Sequence, residues 1–309
     1  MHVYTVLPQD NLNHAASAAA KAEADGYDGL ASMENQHAPF LPHAAAITTT
    51  SKIKLMTGIA IAFARSPMVV AGECFDLQAS SGGRFILGIG SQVRAHNVRR
   101  FSVPWSPPVP RMREYIESLR AIWSCFENDT DLKYEGEHYH FTLMTPNFKP
   151  PASKQSMVPI TIAAVGPAML RLAGQVCDGV RLHPFCTRKY IDSVVMKEIR
   201  TGMARSGRKR ENFEINFLND SYIPHKVKQR SLDLSNYIFL TNKFKLEKNI
   251  DEVSPFGTNF TNLISFEYIK LKRDGTIGEE MIGNSSNRIK IFSDSISVFP
   301  FSFNKLHII

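Results

Sequence analysis

Apolar residues in the first part of the chain fall into short continuous runs separated by segments with helical spacing. The runs at residues 3–7, 29–33, 53–62, 84–90, 159–164, 180–182 and 213–217 are short and bounded by turn residues, and they predict buried strands. Between them, residues 11–24 form an alanine-rich helical segment that ends at Asp25-Gly26. Residues 43–50 predict a short helix, and 67–79 a longer one that Ser80-Ser81-Gly82-Gly83 stops. Residues 111–126 place Ile116, Leu119, Trp123 and Phe126 on one stripe, the mark of an amphipathic helix. Residues 127–158 have no period and read as an irregular, aromatic-containing insertion with Tyr134, Tyr139, Phe141 and Phe148. After 159–164 the chain turns at Val165-Gly166-Pro167, and Met169, Leu170, Leu172, Ala173 and Val176 then share one helical face. Asp178-Gly179 leads into the next strand, which ends at His183-Pro184. A further helix is predicted at 191–204.

Alternation of strand and helix at this spacing requires crossover connections, and so predicts an α/β fold with an all-parallel sheet. A doubly wound sheet and a (β/α)8 TIM barrel both satisfy the pattern. No GxGxxG follows the first strand, which disfavours a dinucleotide-binding doubly wound sheet and leaves the barrel as the preferred fold.

Composition changes this picture at one place. Residues 1–217 contain 25 alanines and residues 218–309 contain none, while the second segment holds nine asparagines and is rich in Phe, Ile, Ser and Lys. The strand–helix alternation also ceases there. Such a break marks a domain boundary or a change of reading frame, and it divides the chain into a 1–217 barrel domain and a distinct 218–309 segment. Within that segment, residues 237–240, 263–269 and 289–296 are apolar enough to serve as substitute strands.

The chain has 309 residues, 43% apolar and 21% charged, which is the composition of a water-soluble globular protein. No apolar run approaches the roughly 20 residues that span a bilayer, and the first residues lack the pattern of a secretory signal, so a cytoplasmic location is expected. A formal net charge of +7 is dispersed in small groups without interleaved aromatics, which argues against nucleic acid as a partner. The four cysteines, Cys74, Cys125, Cys177 and Cys186, form no CxxC pair and read as ordinary thiols, with no metal site.

In a barrel the reacting groups sit at the C-terminal ends of the strands, so the residues that follow each strand are the candidates. Glu34 and His37 follow the second strand, where a carboxylate and an imidazole can orient a ring and move a proton. Gly58 and Ile59 lie at the end of the third. Gly88, Gly90 and Ser91 end the fourth, where glycine permits close approach of a planar group and serine offers a hydrogen bond. Arg94, Arg99 and Arg100 follow in a basic loop. Ala164, Val165, Gly166, Pro167 and Ala168 join the fifth strand to its helix, where free N–H groups and the helix dipole suit a phosphate. Tyr139 in the insertion can cover a pocket, and His183 ends the sixth strand, so both are candidates for the substrate side. Each position also has a plain structural reading as a loop contact, a tight turn or a strand stop.

Five blocks then carry a family resemblance over residues 1–217: Met33-Glu34-Asn35-Gln36-His37-Ala38-Pro39-Phe40; Thr57-Gly58-Ile59-Ala60 with Arg65-Ser66-Pro67; Gly83-Arg84-Phe85-Ile86-Leu87-Gly88-Ile89-Gly90; Tyr134-Glu135-Gly136-Glu137-His138-Tyr139; and Ala163 to Pro167 with Asp178-Gly179. In this order the chain resembles the bacterial luciferase-like monooxygenases, flavin- and deazaflavin-dependent (β/α)8 enzymes. The resemblance implies an oxidoreductase that uses reduced deazaflavin, coenzyme F-420, to pass hydride to or from a small organic substrate. The alternative within the family is a two-component monooxygenase using reduced FMN, with a flavin reductase as partner. It also implies a non-prolyl cis peptide at Gly58-Ile59 behind the cofactor ring, His37 or Glu34 as the proton-handling group, and a homodimer. After Phe217 the chain departs from the family pattern, so a further reading is an incomplete, inactive barrel.

Overall fold

The central runs fold as parallel strands, with β2 (Gly29–Ser32) and β5 (Phe85–Gly90) buried along their whole length and so covered on both faces. The structure is a computed structural model and describes residues 2–183, 186–217, 269–271 and 277–279. The barrel unit comprises Met1–His183 and Val195–Leu218. Its strands and helices are β1 (Tyr4–Val6), α1 (Leu12–Ala24), β2 (Gly29–Ser32), α2 (Leu41–Ile47), β3 (Lys54–Thr57), β4 (Ala60–Ile61), α3 (Pro67–Ser80), β5 (Phe85–Gly90), α4 (Pro108–Asn128), β6 (Tyr134–Glu135), β7 (His140–Phe141), β8 (Ile160–Ala163), α5 (Pro167–Val176) and β9 (Gly179–Leu182). After a short helix α6 (Arg188–Tyr190), which belongs to a second unit, α7 (Met196–Ser206) and β10 (Glu214–Phe217) complete the barrel unit's described elements.

Sheet order is β1-β2-β3-β5-β8-β9-β10, and every pairing along it is parallel. Strands that neighbour in sequence neighbour in space with no reversal of order, which is the winding of a (β/α) barrel rather than of a doubly wound sheet. The hydroxyl of Tyr4 on β1 donates to Glu214 on β10 at 3.3 Å, so the first and last described strands of the sheet reach each other by side chain.

Local signals set the helix boundaries. The Asn11 side chain accepts the Asn13 N–H ahead of α1, and Ser66 accepts that of Met68 ahead of α3, where Pro67 takes the first helical position. α4 docks on α3 through its buried stripe and through Trp123, whose indole N–H donates to the Ala71 carbonyl at 3.0 Å. α5 and α7 pack almost backbone to backbone. A Cβ at Gly174 would lie 2.2 Å from the Ile199 carbonyl oxygen, and one at Gly202 would lie 2.1 Å from that of Arg171.

The structure departs from the sequence expectation in several places. The expected third strand, 53–62, is broken into β3 and β4 around Gly58-Ile59. The insertion is not wholly irregular. Antiparallel β6 and β7 form a hairpin within it, held by Glu114 of α4, whose carboxylate accepts the N–H groups of Glu137, His138 and Tyr139. That partner lies over 20 residues back in the chain, so no local pattern reveals it. The helix expected at 191–204 begins with a π-type turn at Ile191–Val195, and its regular part ends at Gly207, which takes the left-handed conformation with φ of 64°. In the second unit, β11 (Ile269–Leu271) and β12 (Ile277–Glu279) pair antiparallel. The strands expected at 237–240 and 289–296, and most of 263–269, lie outside the described residues. All four cysteines are buried, and none is in a disulfide among the described residues. Among the described residues no helix is long and apolar enough to cross a membrane.

One buried polar group makes stability depend on pH. His43 in α2 is fully buried, with Nε2 2.9 Å from the Ser32 hydroxyl and its ring edge-on to Phe85. Burial pushes its pKa down to about 4, outweighing an opposing backbone contact from Met56. The native state therefore keeps His43 neutral, whereas the unfolded chain binds a proton near pH 6.5. Its contribution is complete above pH 6.5 and is lost as pH falls toward 4. After partial relaxation of the site we expect a loss of about 2 kcal/mol across that window. Urea unfolding at stepped pH should show it, and His43→Gln should flatten that part of the profile.

Candidate active site

The third barrel strand stops at Thr57, and the site grows from that break. The Gly58 N–H donates to the Ser32 carbonyl at 2.6 Å, and the Ile59 carbonyl accepts the Glu34 N–H at 3.2 Å. The Gly58–Ile59 peptide is cis. Pairing resumes one step along, with Ala60 opposite Ile89 and Ile61 opposite Gly90. The Ile59 side chain leans over Gly90: a Cβ there would sit 2.9 Å from Ile59 Cδ1 and 3.4 Å from Ala163 Cβ. Ile59, Gly90 and Ala163 thus converge on the C-terminal ends of three adjacent strands, the end at which barrels build their sites.

Glu34 is committed at this break. Its Oε2 accepts the Ile61 N–H and the Arg65 Nη1, each at 2.7 Å, and its side chain is only 8% exposed. Arg65 Nη1 also donates to the Ile61 carbonyl at 3.2 Å. His37, by contrast, is exposed on the loop after β2. That loop is tied to the basic segment after β5, because Arg100 Nη2 donates to the Asn35 carbonyl at 2.9 Å.

Gly88 does not lie at an open surface. It is buried in mid-strand, where an added Cβ would come within 2.0 Å of the Thr57 carbonyl oxygen. Its glycine identity serves β3–β5 packing rather than the approach of a ligand. Ser91 is half-buried at the rim, and its carbonyl accepts from Asn97 Nδ2 at 2.9 Å. Asn97 is buried and also donates to the Val93 carbonyl.

The β8–α5 junction is built differently. Ala164 is buried, while Gly166, Pro167 and Ala168 are exposed, and α5 has no side-chain cap at Gly166. Among the described residues nothing lies within 4 Å of a Cβ placed on Gly166. Leu170 N–H reaches back to the Gly166 carbonyl, but the earlier N–H groups of a helix have no intrahelical partner. This start is therefore an accessible, partly positive donor array.

Tyr139 is half-buried in packing: its hydroxyl accepts from Arg111 Nε at 3.0 Å, and its ring meets Tyr115 edge-on. Those contacts fix the hairpin on α4, and Tyr139 is not a free covering group. His183 is exposed just beyond β9. Among the described residues, the carboxylates of Glu114 and Glu137 and the imidazole of His138 come within 4.8 Å of one another, but both Glu114 oxygens already accept backbone N–H groups.

Asn97 and Arg181 were not singled out from the sequence, and Arg65 entered only within a resemblance block, not as a site residue. Arg181 carried a signal, a charged residue inside the apolar run 180–182. It is 5% exposed in the barrel interior, donates to the Met56 sulfur, and has its pKa lowered to about 10 by burial, against the pull of Tyr4 and Glu214.

The family model described as luciferase-like monooxygenase matches residues 2–218. The chain belongs to this family. Among its relatives is an uncharacterized protein of Mycobacterium tuberculosis, 45% identical over 206 residues, which are 67% of this chain and 61% of that protein. The 5,10-methylenetetrahydromethanopterin reductase of Archaeoglobus fulgidus is 32% identical over 165 residues, covering 53% of this chain and 46% of the reductase. The chain thus spans less than two thirds of the length of these relatives. Among solved structures, an F-420-dependent secondary alcohol dehydrogenase in complex with an F-420–acetone adduct aligns with a TM-score of 0.60 at 21% identity, over 70% of this chain and 67% of that one. At that identity the likeness shows the shared barrel fold.

Proposed function

We propose that this chain is a luciferase-like oxidoreductase that binds coenzyme F-420 at the C-terminal mouth of its barrel and passes hydride to or from a small organic substrate. The observation that carries this reading is the uncapped start of α5, joined by Ala163 and Ala164 to the apolar surface of Ile59 and Gly90. A planar ring fits against that surface, and an anionic tail fits the N–H groups of Ala168 and Met169 in the first turn of α5, with Gly166 leaving the approach open. The Ser91 hydroxyl lies at the rim to hydrogen-bond the ring edge. Deazaflavin supplies the hydride chemistry; the protein binds, orients and excludes water. His37 is the proton-handling group, its imidazole exposed on the loop beside the mouth, while Glu34 holds the backbone against which the ring rests. His183, at the rim after β9, faces the substrate side.

The test is anaerobic reconstitution of the full chain with F-420 and, separately, with FMN, followed by gel filtration and absorbance spectra. The expected result is retention of F-420 and reoxidation of its reduced form by a member of a panel of small ketones and aldehydes. Retention of FMN with oxygen consumption would instead support the monooxygenase reading. Retention of neither would refute both.

A further inference from the structure

Resting on that reading of the barrel mouth, we propose that Arg65 is a positioning residue for the bound ring, acting through Glu34. Gly58 and Ile59 interrupt the strand between β3 and β4, and β4 is only two residues long, so contacts from other segments help to set the shape of 58–61. The Glu34 backbone N–H binds the Ile59 carbonyl and its carboxylate binds the Ile61 N–H, bracketing the segment from one side. The carboxylate reaches Ile61 in a single geometry only if it is held there, and Arg65 holds it, with Nη1 shared between Glu34 Oε2 and the Ile61 carbonyl. Arg65 is itself fixed, lying over the Phe40 ring at 5.7 Å and only 22% exposed. Glu73 of α3, exposed at this edge, couples electrostatically to both members of the pair, and desolvation raises its carboxyl although Arg65 pulls the other way. Removing Arg65 would leave Glu34 beside Glu73 with no counter-charge, and Glu34 would then turn away from Ile61.

Arg65→Ala, Arg65→Lys and Trp123→Phe should be compared with the wild-type chain. Trp123→Phe is a remote control that loses one buried hydrogen bond. Two readouts are needed: amide hydrogen exchange of residues 58–61 without cofactor, and F-420 affinity by fluorescence titration. In Arg65→Ala we expect faster exchange at 58–61 and on the order of tenfold weaker F-420 binding, since small misplacements of a supporting surface carry large costs. Arg65→Lys should restore part of both, because an ammonium returns the charge but not the planar fork. Trp123→Phe should lower thermal stability and leave both readouts unchanged. Unaltered exchange at 58–61 in Arg65→Ala, or an equal loss of affinity in Trp123→Phe, would overturn the proposal. If the wild-type chain bound no F-420, the proposed function would fail, and the exchange comparison would still decide whether Arg65 holds this segment.

Discussion

Gly88→Ala is expected to leave little native protein. Its new methyl group would fall 2.0 Å from the Thr57 carbonyl oxygen and 3.2 Å from both the Thr57 carbonyl carbon and Thr161 Oγ1. The nearest of these atoms, the Thr57 carbonyl oxygen, is backbone of the neighbouring strand, so no rotamer change relieves the clash. Separating the strands would also break the clasp in which Thr57 Oγ1 donates to the Gly88 carbonyl at 2.7 Å and accepts the Gly88 N–H at 2.9 Å. Overpacking a core costs about 1–3 kcal/mol where side chains can yield. With backbone as the obstacle and a buried hydrogen-bonded pair lost, we expect more than about 4 kcal/mol, a large part of a domain's total stability. Gly72→Ala is the matched control. Among the described residues no atom lies within 4 Å of its added methyl, and in α3 alanine should hold or raise the melting temperature. Circular dichroism melts of the two variants decide the matter. A Gly88→Ala protein melting within a few degrees of wild type would contradict this account of β3–β5 packing.

Gly166→Asp separates binding from folding. The backbone at Gly166, with φ of −75° and ψ of 155°, already has the extended geometry that helix-capping residues adopt, and no described residue comes within 4 Å of a Cβ placed there. The aspartate should therefore cap α5 and leave the melting temperature equal or higher. It would also place a carboxylate where the anionic tail of F-420 is proposed to rest. Like charges brought together on binding cost several kcal/mol, so affinity should fall about a hundredfold or more. Gly166→Asn supplies the cap without the charge and should fall between the two. If Gly166→Asp bound F-420 as wild type does, the anion would have to be held elsewhere.

The strand–helix pattern of residues 1–217 was legible because it depends on local periodicity and turn residues, and the barrel was preferred over a doubly wound sheet only because no GxGxxG follows the first strand. The break at Gly58-Ile59 was not legible from the residues themselves. A continuous apolar run such as 53–62 looks the same whether or not its ladder is interrupted, and here the interruption is held by Glu34 and Arg65 from other segments. The same limit explains Gly88 and Glu34. Sequence position put both near the barrel mouth, but only spatial neighbours tell a packing glycine from a ligand-approach glycine, or a committed carboxylate from an open one. Tyr139 looked like a lid because its insertion has no period, yet Arg111 and Tyr115 hold it from α4. At Gly166 the structure shows open surroundings among the described residues, and the anion-ready turn indicated by the sequence stays a proposal.

Hydrogen exchange of the full chain with and without F-420, mapped by mass spectrometry, tests the location of the proposed site most directly. The expected result is protection on binding at residues 58–61, 90–92 and 164–169, with little change on α3, α4 or the 134–141 hairpin. Protection that spared 58–61 and 164–169, or its absence at saturating F-420, would contradict the placement of the cofactor at the C-terminal mouth of this barrel.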